Sequence, residues 1–277
     1  MLKVKVGHIN FLNILPLTYS YKHENFDDFK IFYDVPSVLN NAVKNAQLDI
    51  SQISSIEYAR QNENLLLLPN ISIRADCDVE SIVLISKKPI EKISDDKITL
   101  TSKSATSHCL LKIILAESYG ANPKYEIAKV EVKNPIPNDS AASLLIGDDA
   151  LEIFMNKPKN LFCYDIGKEW HKLTGRSMVF AVWIVRKDFA ENFPDILKFA
   201  YDKIIFGMKS GIKNKNLAIE SVLTVKPFDY DCLNKYLGEI IKWDLPNDAI
   251  ESLKIFYEKA YKFNLIERLP EIKFASV

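Results

Sequence analysis

The chain has 277 residues, 48% hydrophobic and 26% charged, which is enough apolar material for one large domain or two of medium size. Its 36 basic residues balance 36 acidic ones, so no overall charge draws it to nucleic acid or to an anionic membrane. Cys77, Cys109, Cys163 and Cys232 lie far apart with no Cys-x-x-Cys pair, which argues against a zinc site or a redox motif and suits a reducing compartment.

The chain opens on an alternating β-type run, residues 2–6, that ends at Gly7. No basic and apolar leader precedes it and no apolar run is long enough to span a membrane, so a cytoplasmic location is expected. His8, Asn10 and Asn13 follow within six residues, and Pro16 then suits the first turn of a helix. That places a polar loop at the carboxyl end of the first strand, the edge where open α/β sheets bind small ligands. An Asn there both donates and accepts, as a polar anion requires; capping of the next helix is the plainer use of Asn10 and Asn13.

Helix over 16–23, strand over 29–35, helix over 36–46 and strand over 48–53 follow. Ser54 with Glu57 has the spacing of a capping box, and the helix start behind it leaves backbone N–H groups for an anion. Residues 65–68, 71–75 and 81–86 are β-like. A second α/β unit begins at 97–100 and leads into Thr101-Ser102-Lys103-Ser104-Ala105-Thr106-Ser107, with a helix to Tyr119 stopped by Gly120. Five hydroxyl residues in seven exceed what one cap requires, and with Lys103 they point to a carboxylate or phosphate site. The loop lacks Walker-type glycines, which argues against a nucleotide phosphate.

Strands are expected over 125–132, 143–148 and 161–166, with a helix over 149–154, and 178–186 is the longest β-like run. Beyond it the pattern is helical: 189–212, 216–225, 229–241 and 247–265, the last boxed by Asp248 and Glu251. The β runs at 81–86 and 179–186 bracket an inserted α/β block. The expected architecture is therefore α/β, a two-lobed type-2 periplasmic-binding-protein-like fold with two crossover strands and a helical C-terminal region. Lobe 1 comprises 1–86 plus 184–277, and lobe 2 is 87–183. A single doubly wound domain is the competing topology.

Several stretches together resemble the chorismate dehydratases of the futalosine route to menaquinone. They include Gly7-His8-Ile9, Phe11-Leu12-Asn13 and Leu15-Pro16-Leu17 at the start, Leu48-Asp49-Ile50, and Ser54 to Tyr58. Ser102, Ser104, Thr106, Ser107 and Leu145 to Leu151 match as well. The most specific is Tyr164-Asp165-Ile166-Gly167 with Trp170, Thr174 and Gly175, followed by Val179 to Trp183. Arg176-Ser177 departs from the apolar pair that many relatives carry there. Arg176 is read as a solvated loop residue in preference to an added carboxylate clamp.

The resemblance implies a hydro-lyase that removes water from chorismate to give 3-[(1-carboxyvinyl)oxy]benzoate, with no metal and no cofactor. Loss of the C3 proton and C4 hydroxyl makes the ring aromatic, so the protein mainly holds two carboxylates and stabilises developing charge. The resemblance also implies that the substrate's enolpyruvyl carboxylate is the base, and this chain offers no histidine triad and no spaced carboxylate pair. By resemblance, Asn13 and Ser81 are the catalytic pair. His8, Asn10, Ser54, Ser104, Thr106, Ser107, Gly147, Asp148 and Phe180 are assigned to substrate binding. His8 is equally readable as a strand-end structural residue, Asp148 and Asp165 as helix caps, and Phe11, Phe180 and Trp183 as core. A small-molecule substrate is the only partner implied, and a homodimer is compatible with it. The alternatives are a non-catalytic carboxylate-binding protein of the same fold and the sister dihydroxynaphthoate synthase, whose Ser-Pro-Cys-Pro-Asn-Asp opening is absent. A prephenate dehydratase is disfavoured because no Thr-Arg-Phe motif is found.

Overall fold

The computed structural model describes residues 3–277, so Leu2 of the expected first strand lies outside the described residues. Three parallel strands form one side of the first sheet: β1 (Val4–Ile9) lies between β2 (Phe29–Asp34) and β3 (Ile50–Ser54). Every residue of β3 is buried, as a central strand covered on both faces requires. Helix α1 (Leu15–His23) follows β1, α2 (Pro36–Lys44) links β2 to β3, and α3 (Ser55–Gln61) leads to β4 (Leu65–Ala75). Residues 65–68 and 71–75 are thus one strand. It passes Pro69 with Asn70 in the left-handed region at φ 60°, and the register slips nearby.

The chain then enters a second sheet: β5 (Ile82–Ser86), β6 (Lys97–Thr101), α4 (Thr106–Tyr119), β7 (Lys124–Ala128), β8 (Ala142–Ile146), α5 (Gly147–Asn156), β9 (Phe162–Asp165) and α6 (Ile166–Thr174). Its order is β7-β6-β8-β5-β9. The long strand β10 (Met178–Arg186) returns to the first sheet, antiparallel to both β3 and β4. The fold is the expected α/β two-lobed architecture. Strand pairing divides it, however, at residues 76–81 and 175–177. Residues 82–86 pair wholly with β8 and β9 in the second lobe, and 178–183 pair with β3 and β4 in the first. The boundaries at 86 and 183 expected from the sequence shift accordingly.

The C-terminal region is more interrupted than the hydrophobic pattern implies. Phe193 leaves helical geometry (φ −136°, ψ 54°) because a residue before proline is pushed from the α region, so α7 (Lys187–Asn192) and α8 (Pro194–Lys213) are separate helices. After α9 (Lys215–Glu220) and α10 (Tyr230–Lys235), residues Tyr236–Ile240 form a π-helical turn. The chain then adds a short strand, β11 (Ile241–Lys242), to β4 before α11 (Asn247–Lys262). Neither expected capping box forms. Ser54 bonds to Asn40 and Glu57 pairs with Arg60, while Glu251 pairs with Lys254. The fully buried Trp170, on α6, packs edge-on against Phe256 of α11, joining the lobes through apolar surface.

Candidate active site

The ends of β1 and β3 and the starts of α2, α4 and α5 converge where the chain crosses between lobes. They enclose a narrow cavity of about 40 Å³. Its polar lining is Asn13, Ser54, Ser81 and Ser104; its apolar walls include Phe11, Ile73, Ile146 and Phe180, and Gly147 borders it. No charged side chain lines it. Drug-sized guests occupy pockets of roughly 300–1,000 Å³, so a guest of that size needs more room than this cavity has. A wider concavity of about 630 Å³ lies within the first lobe by Tyr261 and Asn264. Its Arg60 and Arg268 are already paired with Glu57 and Glu63.

Asn13 sits in a 3₁₀ turn, Leu12–Ile14, two residues beyond the end of β1. It caps nothing: α1 begins after Ile14 without a side-chain cap. The indole N–H of Trp243 donates to the Asn13 carbonyl at 2.7 Å and fixes the backbone, while the side-chain Oδ1 is buried without a partner. A buried amide oxygen left unpaired is costly unless something bonds to it. Ser54 is held by both ends of the Asn40 amide at 3.0 and 3.2 Å. Ser81 receives the Tyr236 O–H at 2.7 Å. Ser104 faces the start of α4, where Ser107 N–H donates to its Oγ at 3.5 Å.

His8, Asn10, Thr106, Ser107 and Asp148, also assigned to binding, do not line the cavity. His8 is fully buried between Tyr21 and Tyr33, with Nε2 bonded to Thr18 at 2.7 Å; burial, aided by Lys22, lowers its pKa to about 3. It is a neutral packing residue because its ring points into the layer between β1 and α1. Asn10 is exposed, with its backbone bonded to Asp34. The Thr106 hydroxyl, turned towards α3, accepts from Ile56 N–H at 3.2 Å and so joins the lobes instead of facing the cavity. Ser107 is buried behind Ser104 with its Oγ unpaired. Asp148 accepts from Leu12 N–H at 2.9 Å and Lys226 at 2.6 Å; it bridges the lobes beside the cavity. Gly147, at φ 68°, lies against the Phe11 ring, and Trp183 is core. Arg176 is a solvated loop residue, with no carboxylate-clamp geometry.

Asp165 both caps α6 through Lys168 N–H and grips the crossover through the N–H groups of Val79 and Glu80, at 3.0 and 2.6 Å. Burial raises its pKa to about 6 against these bonds. Beside it, Glu80 is held in the left-handed region at φ 57° and pairs with Lys235 at 2.8 Å. Tyr236, Pro36 and Ile73 line or support the site without any signal that sequence reasoning could use.

Three helix starts meet the cavity, with the Ser37 and Gly147 N–H groups already donating to the Lys103 and Ser81 carbonyls. Helices α2, α4 and α5, all of nine or more residues, start at the cavity wall with Pro36, Ser104 and Gly147. The nearby cations Lys103 and Lys226 are already paired with Asp149 and Asp148. Hydroxyls can donate to a guest and the Asn13 amide can accept, yet no side chain in the lining is an ordinary base. Among the described residues, no cluster of three His, Cys, Asp or Glu side chains is placed to hold a metal ion.

The chain is similar to known proteins in sequence and in fold. The chain is 28% identical to a chorismate dehydratase of Thermus thermophilus over 197 residues, 66% of this chain and 70% of that one. A crystal structure of an Archaeoglobus fulgidus protein superposes with a TM-score of 0.76 at 18% identity, covering 95% of this chain and 98% of that one. The periplasmic aliphatic sulphonate binding protein of Escherichia coli superposes at 0.67 with 10% identity, over 98% and 90%; these two likenesses concern the fold. With a family profile described as menaquinone biosynthesis matching residues 4–262, the chain belongs to that menaquinone biosynthesis family.

Proposed function

We propose that this protein is a chorismate dehydratase, a carbon–oxygen lyase acting on chorismate in menaquinone biosynthesis. The observation that carries the reading is the unpaired, buried Asn13 Oδ1 in a charge-free cavity that also holds Ser81. The name of the Thermus thermophilus relative supports it. The C3–H electron pair forms a ring double bond, the C4–O bond breaks, and hydroxide leaves. The C3 proton passes to the substrate's own enolpyruvyl carboxylate and from there completes the departing water, so one molecule of water is lost and nothing else is exchanged. A lining without a base accords with a reaction whose base comes with the guest, and one whose driving force is aromatisation asks the protein mainly for orientation. Asn13 orients the ring, Ser81 faces the leaving hydroxyl, and the start of α4 with Ser104 takes a carboxylate. Asn13→Asp places a negative charge beside the anion and Ser81→Ala removes the donor. Each is expected to lower chorismate turnover at least 100-fold, followed as an aromatic absorbance, and rates within a few-fold of the parent would sink the assignment.

A further inference from the structure

Ser81 does not stand alone. Its Oγ accepts the hydroxyl proton of Tyr236 at 2.7 Å, and both side chains are buried, at 3% and 1% exposure. Tyr236 opens the π-helical turn Tyr236–Ile240, an arrangement that is rare and concentrates at functional sites. The neighbouring residues pair as well: Lys235 meets Glu80 at 2.8 Å. Two adjacent contacts therefore fasten the first lobe to the segment that carries Ser81.

The direction of the Tyr236–Ser81 bond has a chemical consequence. A hydroxyl has one proton to give. With its oxygen receiving the phenol proton, Ser81 keeps its own for another acceptor. Inside the protein that acceptor is the Val79 carbonyl, at a long 3.3 Å, and the hydroxyl also borders the cavity. Burial, with the carboxylates of Asp148, Glu80 and Asp165, holds the phenol well above its ordinary range, so it remains a donor throughout the working pH range.

We propose that Tyr236 is a positioning residue for the dehydration: by donating to Ser81 it commits the serine proton to the departing hydroxyl of the substrate. This rests on the chorismate reading above. A hydrogen-bond donor chain strengthens each successive bond, so the serine becomes a better donor when its oxygen is itself engaged.

The test compares kcat and KM of the parent, Tyr236→Phe, Ser81→Ala, the double variant and Lys235→Met, with melting temperatures alongside. Tyr236→Phe keeps the ring and removes the donor. It is expected to lower kcat about tenfold or more with KM within twofold, and the double variant should be no slower than Ser81→Ala alone, because the phenol acts only through the serine. Lys235→Met breaks the adjacent ion pair but spares the phenol, and should leave kcat within twofold. The inference is overturned if Tyr236→Phe keeps the parent kcat, if its loss multiplies with that of Ser81→Ala, or if Lys235→Met falls as far. A parent protein that does not turn over chorismate would refute the reaction assignment, and with it this role, before any variant is compared.

Discussion

Asp148 accepts the backbone N–H of Leu12 at 2.9 Å, so an acid of the second lobe is bonded to the residue next to Asn13 in the first. The same carboxylate holds Lys226 at 2.6 Å, which makes it a three-way clasp at the edge of the cavity. Asp148→Ala strands the N–H of the buried Leu12 and should destabilise the protein by about 1–3 kcal/mol. Lys226 is partly solvated, so its lost ion pair adds little. Denaturant melts give the first quantity. Kinetics should give a raised KM, because the turn that carries Asn13 loses its tie to the second lobe.

Gly147 lies at φ 68°, and a Cβ there would come within 2.8 Å of the Phe11 ring. Gly147→Ala therefore imposes left-handed strain of about 1–2 kcal/mol and also drives the ring into the cavity. A melting temperature lowered by several degrees and a kcat/KM lowered at least tenfold are expected. An unchanged kcat/KM would show that the Phe11 wall does not shape the site.

Asp165 makes the fold pH-sensitive in a defined direction. Burial lifts its pKa from 3.8 to about 6, so the folded state holds this proton more tightly than the unfolded chain does. The contribution is present below pH 4 and is lost as pH rises through 6. Asp165→Asn removes the titration. The stability of the parent relative to this variant should therefore fall by up to about 3 kcal/mol between pH 4 and 7. Chemical denaturation at the two pH values measures it, and a constant difference would contradict it.

His8 moves the other way. Its folded pKa, near 3, lies below the ordinary 6.5, so the neutral ring contributes stability above pH 6.5 that is lost as pH falls towards 3. In NMR spectra the His8 ring carbons should keep neutral-form shifts at pH 5, where a solvated imidazole is charged. Charged-form shifts in folded protein at that pH would place His8 nearer solvent than its burial allows.

Much of this arrangement was legible because it follows local rules. The strand–loop–helix opening points to Asn13 and the hydroxyl-rich junction to Ser104, while Ser81 and Gly147 come only from the family resemblance; all four border one cavity. Side-chain direction was not legible. His8 lies one residue beyond Gly7 in the same strand, yet its ring turns into the core, while Asp148 and Thr106 face across the lobe interface and not into the cavity. The crossovers were displaced by a few residues because hydrophobic runs reveal strands but not their partners. Tyr236 was invisible, since a π-helical turn has no hydrophobic period of its own and its partner is 155 positions away in sequence.

The reaction proposed above is the loss of water from chorismate between these lobes. Proton NMR of chorismate incubated with the purified protein tests it most directly. The prediction is that the ring-diene signals give way to four aromatic protons while both enolpyruvyl methylene protons persist, and that Asn13→Asp abolishes the change. A spectrum in which chorismate stays intact, or loses its enolpyruvyl group as pyruvate, would contradict it.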